Sequence, residues 1–269
     1  MRKLFIILCC SIVLLNSMSC DKYWGMENTS VPQESITPNP KVEKLVQQAR
    51  HGEIDAYDAL AVCYRDGDGV KQSGINMMTM YLLSCRKSGK NIKDVIESLD
   101  VDNPIRLLID VLGHPLIENA PQEAVARLRE VSPADALIYD AFYAIGHEKD
   151  TMAAERFIQK AVIEGSDMAC IIQIGMHELS GNKEKLEQAL YKYADRFPVL
   201  YVRLGEMCME SDAEGHLEQA AKYFTYADNY GMLTVRGARG LSAAYRMLEE
   251  NGKIKCDFQE MERLKKLAQ

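Results

Sequence analysis

The 269-residue chain has one tryptophan, five histidines and no run of Lys or Arg longer than a pair. His51, His114, His147, His177 and His216 are scattered, without an i, i+4 partner or cysteines at zinc-ligand spacing, so no zinc site is legible. His177-Glu178 begins like a zinc-protease helix but continues into Ser180 and Gly181, with no second histidine. The G-x-S-x-G, P-loop and dinucleotide glycine patterns are missing. Asp66-Gly67-Asp68-Gly69 alternates carboxylates as a calcium loop does, but the closing carboxylate is absent, and the glycines read as a turn. No catalytic residue, metal or cofactor is assigned, and the chain is expected not to be an enzyme. Lys and Arg number 32 against 39 Asp and Glu, a formal net charge of -7, which argues against nucleic acid as a partner. After Leu4–Leu15 no apolar run approaches the roughly 20 residues a helix needs to cross a bilayer. What is present, 47% hydrophobic and 26% charged residues over one or two domain lengths, is the balance of a folded chain.

Arg2 and Lys3, the apolar run Leu4–Leu15 and the small polar segment Asn16–Ser19 have the layout of a signal peptide, residues 1–19. Its removal makes the mature chain two charges more acidic. The next junction, Ser17-Met18-Ser19-Cys20, resembles the lipobox of bacterial lipoproteins. That resemblance implies an acylated Cys20 as the first mature residue, with the lipid bilayer as a partner. Cleavage at an ordinary site, leaving Cys20 unmodified, is the alternative. Residues 20–40 contain three prolines, several Ser, Thr and Asn and no apolar period; they read as a flexible tether reaching about 25 Å. The folded domain is placed at 41–269.

An internal period decides the fold class. Gly165, Pro198 and Gly231 lie 33 residues apart; four residues before each stands Ala161, Ala194 or Ala227, and the bulky pairs Phe157-Ile158, Leu190-Tyr191 and Tyr223-Phe224 precede these. Tyr81-Leu82, Cys85 and Gly89 repeat the offsets. A bulky pair, a small residue and a breaker describe a helix packed closely on its neighbour and then stopped. In preceding helices, Leu60 and Tyr64, Leu204 and Cys208, and Leu241 and Tyr245 form i, i+4 pairs. The best unit, Ala56-x-x-x-Leu60-Ala61-x-x-Tyr64-x-x-Gly67-x-Gly69-Val70 followed by Tyr81-Leu82 and Gly89, resembles a Sel-like repeat, an α/α hairpin related to the tetratricopeptide repeat. The resemblance implies an all-α fold, a right-handed α/α superhelical solenoid of stacked hairpins. Units are placed at about 54–89, 132–165, 166–198, 199–231 and 232–252. A C-terminal capping helix is placed at 256–268, opened by Asp257 and Glu260, with Phe258, Met261 and Leu264 on its apolar side. Between Asn91 and Glu130 the period lapses, and this stretch reads as degenerate helices or an insertion.

A cysteine-rich branch of the Sel-like family staples its hairpins with disulfides. Here Cys63 and Cys85 are offset by roughly 12 Å along their hairpin, beyond disulfide reach, so Cys63, Cys85, Cys170, Cys208 and Cys256 are expected as buried thiols. Of the thirteen tyrosines, Tyr64, Tyr81, Tyr191 and Tyr245 fall on core register, whereas Tyr57 and Tyr139 fall off it and are candidate partner contacts. Asp58, Arg65, His177, Arg203 and Glu206, on first helices, complete the candidate surface. The resemblance implies a membrane-anchored cell-envelope scaffold that binds a protein or peptide, exported to the outer membrane or another periplasmic face. A cell-wall-related envelope enzyme or a β-lactam- or peptidoglycan-binding protein is the alternative, and an assembly lipoprotein a third. Cys20→Ser should move the protein from the membrane to the soluble envelope fraction; retention at the membrane after cleavage at an ordinary site contradicts the anchor.

Overall fold

The computed structural model describes residues 39–114 and 116–269. The signal peptide and Cys20 lie outside the described residues. The fold is all-α: helices joined by short turns, with no strand among the described residues. Residues 41–269, read as one repeat domain, divide into two compact units, one formed by 91–186 and the other by 39–90 together with 187–269.

The 91–186 unit contains α4 (Ile92–Ser98), α5 (Pro104–Leu112), α6 (Gln122–Val131), α7 (Pro133–Tyr143), α8 (Thr151–Ile163) and α9 (Asp167–Leu179). The stretch where the period lapsed is thus helical, and α5 packs on α6 and α7. Asn103 opens α5 by accepting from the Ile105 amide at 3.0 Å, and Leu107, Leu108, Val111 and Leu112 are buried. Arg127 of α6 forks onto Asp102 at 2.7 and 2.6 Å. Asp150 and Ser166 cap α8 and α9 by accepting from Ala153 and Ala169.

The other unit is discontinuous in sequence. Its first part holds α1 (Pro40–Arg50), α2 (Ile54–Asp66) and α3 (Gly74–Ser88). The second holds the end of α10 (Lys183–Tyr193), then α11 (Leu200–Met209), α12 (His216–Asn229), α13 (Val235–Glu250) and α14 (Phe258–Leu267). The turn between α2 and α3 uses left-handed Gly67 and Gly69, while Asp66 and Asp68 pair with Arg65 and Lys41. Gly89, Gly165 and Gly231, the breakers of the period, all have positive φ, and Ala161, Ala194 and Ala227 are fully buried. Small residues at α11 and α13 admit one aromatic ring: a β-carbon at Gly205 would lie 2.7 Å from Phe224, and one at Gly240 2.5 Å from it.

The two parts of this unit are joined at Asp228 near the end of α12. Its buried carboxylate receives Arg50 Nε at 2.9 Å from α1, and Arg263 Nη1 and Nη2 at 3.0 and 2.7 Å from α14. Arg263 also donates to the Arg50 carbonyl at 2.8 Å. Beside it, a β-carbon on Gly231 would lie 3.0 Å from that of Ala49. Asp257 caps α14 by accepting from Gln259 and Glu260, but the Glu260 side chain turns to Arg263. Leu264 and Leu267 make the buried side of α14, whereas Phe258, assigned to that side from spacing, is 78% exposed at the helix start.

Leucine at Ala161, Ala194 or Ala227 should each cost about 1–3 kcal/mol by overpacking a closed helix contact. Asp228→Ala, which strands two guanidinium groups, should cost about 3–5 kcal/mol. Chemical denaturation of the full chain measures both; wild-type midpoints in all three leucine variants would refute the repeat register.

Candidate functional site

Three neighbouring helices of the discontinuous unit bring tyrosines, carboxylates and a thiol together. Glu187, Tyr191 and Asp195 follow one another at i, i+4 and i+8 along α10 and its end, and so share a face. Helix α11 supplies Tyr201 and Cys208, and α12 supplies Gln219, Tyr223 and Tyr226. The rings contact one another: Tyr201 stacks on Tyr223 with centroids 6.1 Å apart, Tyr226 lies 5.1 Å from Tyr201, and Tyr191 meets Tyr223 edge-on at 6.0 Å. Lys222 Nζ lies 5.8 Å from the Tyr226 ring centroid. Tyr223 and Tyr201 are buried, Tyr226 is half-buried, and Tyr191 is 37% exposed at the rim.

The hydroxyls are ordered by hydrogen bonds. Tyr223 donates to the Tyr191 oxygen at 2.9 Å, and Tyr191 is hydrogen-bonded to Glu187. Tyr201 donates to Asp195. Glu187 is only 6% exposed, and burial pushes its carboxyl up to about 7 despite the opposing effect of the Tyr191 hydrogen bond. Burial, with the charge of Glu187 added, pushes the Cys208 thiol up to about 12. The result is an amphipathic tyrosine surface, stiffened by its own hydroxyl network, over a carboxyl that exchanges its proton near neutrality.

The sequence-derived candidates sit elsewhere. Tyr57, taken as exposed, is 1% exposed: its hydroxyl donates to the Ala49 carbonyl at 2.8 Å, a partner supplied by α1, outside the repeat register. Tyr139 is also buried, against Tyr143 and with Arg129 6.0 Å from its ring centroid. Conversely, Tyr191, assigned to the core, lies at the rim. Asp58 is half-buried and pairs with Lys90 at 3.2 Å, and Arg65 is exposed and paired with Asp66. His177 is half-buried, and burial lowers its pKa.

Arg203 and Glu206 come together, but not as free surface charges. Arg203 lies 3.4 Å from Glu206 and 3.6 Å from Glu210, Arg236 reaches Glu206 at 2.9 Å, and both Arg203 and Glu206 side chains are largely buried. Charge reversal at either residue should therefore destabilise the packing of α11 on α13. Cys63, Cys85 and Cys170 are buried thiols, whereas Cys208 and Cys256 are partly exposed, departing from the expectation of five buried ones. The reading from sequence missed Glu187, although a signal existed: it stands on the apolar stripe of α10 beside Leu186 and Leu190.

No family model and no curated protein matches the chain. Among solved structures, it is similar to a Sel1 repeat protein from Oxalobacter formigenes, at 16% identity over 85% of this chain and 98% of that one, with a TM-score of 0.41.

A carboxyl whose folded pKa is raised favours folding while protonated, and that advantage is lost as pH rises from the unfolded value of about 4.3 through about 7. Glu187→Gln escapes the loss. The variant should match wild type near pH 4 and gain stability relative to it up to pH 8, by an amount of order 3 kcal/mol at most. Thermal melts across that range check this; a constant difference between the two proteins at every pH would contradict it.

Proposed function

We propose that the chain is a Sel-like repeat lipoprotein, exported and anchored through Cys20 at the bacterial cell envelope, which binds a protein or peptide through the tyrosine face of α10, α11 and α12. Support for the repeat comes from its motif residues: Ala56, Leu60, Ala61 and Tyr64 are buried in the α2–α3 hairpin, and Gly67, Gly69 and Gly89 adopt the left-handed turns. The observation that carries the function is the mutual packing of Tyr191, Tyr201, Tyr223 and Tyr226, with Tyr191 and Tyr226 open at the rim. Pre-ordered tyrosines offer large contact area at small entropy cost, which suits recognition rather than turnover.

The test is partner capture by full-length protein from detergent-solubilised envelopes. Tyr191→Ala and Tyr226→Ala should reduce captured partner at least tenfold at a temperature where both remain folded by circular dichroism, Tyr191→Ala with a lowered melting midpoint because it strands the Tyr223 hydroxyl and Glu187. Tyr143→Ala, in the 91–186 unit, should leave capture unchanged. Equal capture by all four proteins would overturn the reading.

A further inference from the structure

Glu187 is buried and Glu206 is largely withdrawn from water, but their neighbours differ. Glu206 lies under two guanidiniums, with Arg236 Nε 2.9 Å and Arg203 Nη1 3.4 Å from its oxygens. Glu187 is only 6% exposed, yet no Lys, Arg or His among the described residues pairs with it. Its hydrogen-bond partner is the hydroxyl of Tyr191. A desolvated carboxylate without a counter-charge is costly unless it stays protonated or a cation is brought to it from outside.

The surroundings of Glu187 suit the second case. Tyr191, hydrogen-bonded to it, is itself partly exposed, so the carboxyl lies one side chain beneath the surface. The groups that face it are the phenols of Tyr191 and Tyr223 and the thiol of Cys208, all neutral at physiological pH, with Gln219 next to Tyr223. Asp195, exposed two turns further along the same face, adds negative charge beside the Tyr201 hydroxyl. Phenol rings and a carboxylate together recognise ammonium and guanidinium groups through cation–π and charge-assisted hydrogen bonds.

We propose that Glu187, with the partly exposed ring of Tyr191, is the binding site for a lysine or arginine side chain of the partner segment, so that the tyrosine face recognises a basic peptide. This rests on the reading of that face as the partner surface and names the chemistry it selects. Because the cation needs an ionised carboxyl, affinity rises with pH through the range where Glu187 loses its proton, and binding releases that proton.

The experiment uses full-length protein in detergent and two fluorescent nine-residue probes, one of alternating serine and lysine, the other with norleucine for each lysine. The lysine probe should bind and the norleucine probe should bind at least tenfold more weakly. Glu187→Gln should weaken the lysine probe at least tenfold and abolish the rise in affinity between pH 6 and 8. Glu164→Gln, which removes the same charge from an exposed site in the 91–186 unit, should change affinity less than twofold. Tyr191→Phe keeps the ring and loses the hydroxyl; it should retain the preference for lysine, which guards against a folding defect in the first variant. Equal losses in Glu187→Gln and Glu164→Gln, or equal binding of both probes, would overturn the proposal. If Tyr191→Ala and Tyr226→Ala lose partner capture while Glu187→Gln does not, the tyrosine face stands and only the basic specificity fails; if none loses it, the face itself fails.

Discussion

Asp228 is the constraint on which the discontinuous unit depends. It is a carboxylate removed from water and held by two guanidiniums from helices at opposite ends of the described chain, α1 and α14. Burying such a group is costly, and the cost is offset only if both partners arrive with good geometry. The arrangement therefore stabilises one pairing of distant segments and penalises alternatives that leave Asp228 unpaired. Ala49 and Gly231 allow it, because their lack of side-chain bulk lets α1 approach the end of α12.

Helix α12 carries this junction and the tyrosine face at once. Phe224 fills the space left by Gly205 and Gly240, Ala227 closes the helix contact, and Asp228 takes the two arginines. On adjacent positions Tyr223 and Tyr226 enter the ring cluster with Tyr191 and Tyr201. The candidate site thus stands on a rigid element whose rotation is set by packing. That is the condition under which aromatic side chains present a preformed surface and lose little entropy on binding.

Burial acts in the same direction on the two acids of this region, and their neighbours make the difference. Desolvation raises the pKa of both Glu187 and Glu206, but for Glu206 the guanidiniums of Arg236 and Arg203 oppose the rise and tie the carboxyl into a structural network. Glu187 has the Tyr191 hydroxyl as its hydrogen-bond partner, which stabilises an anion far less than a guanidinium does. The same residue type is a packing element in one place and a titrating group in the other, and the difference lies entirely in which neighbours the fold delivers.

Local information determined much of this protein. The 33-residue recurrence of a bulky pair, alanine and a breaker corresponds to buried Ala161, Ala194 and Ala227 and to left-handed Gly165 and Gly231, because helix period and glycine φ are properties of short segments. Capping by Asp257 was legible for the same reason. Exposure was not. Tyr57 and Tyr139 were assigned to the surface because they fall off the repeat register, yet Tyr57 is buried by α1, a helix the repeat does not contain, and Tyr139 by contacts with Tyr143 and Arg129. Arg203 and Glu206 lost their exposure to Arg236, thirty residues away. The joining of α1 to α12 and α14, and the convergence of Glu187, Tyr191, Tyr223 and Cys208, came only from tertiary structure, since both depend on pairings between helices that no period along the chain encodes.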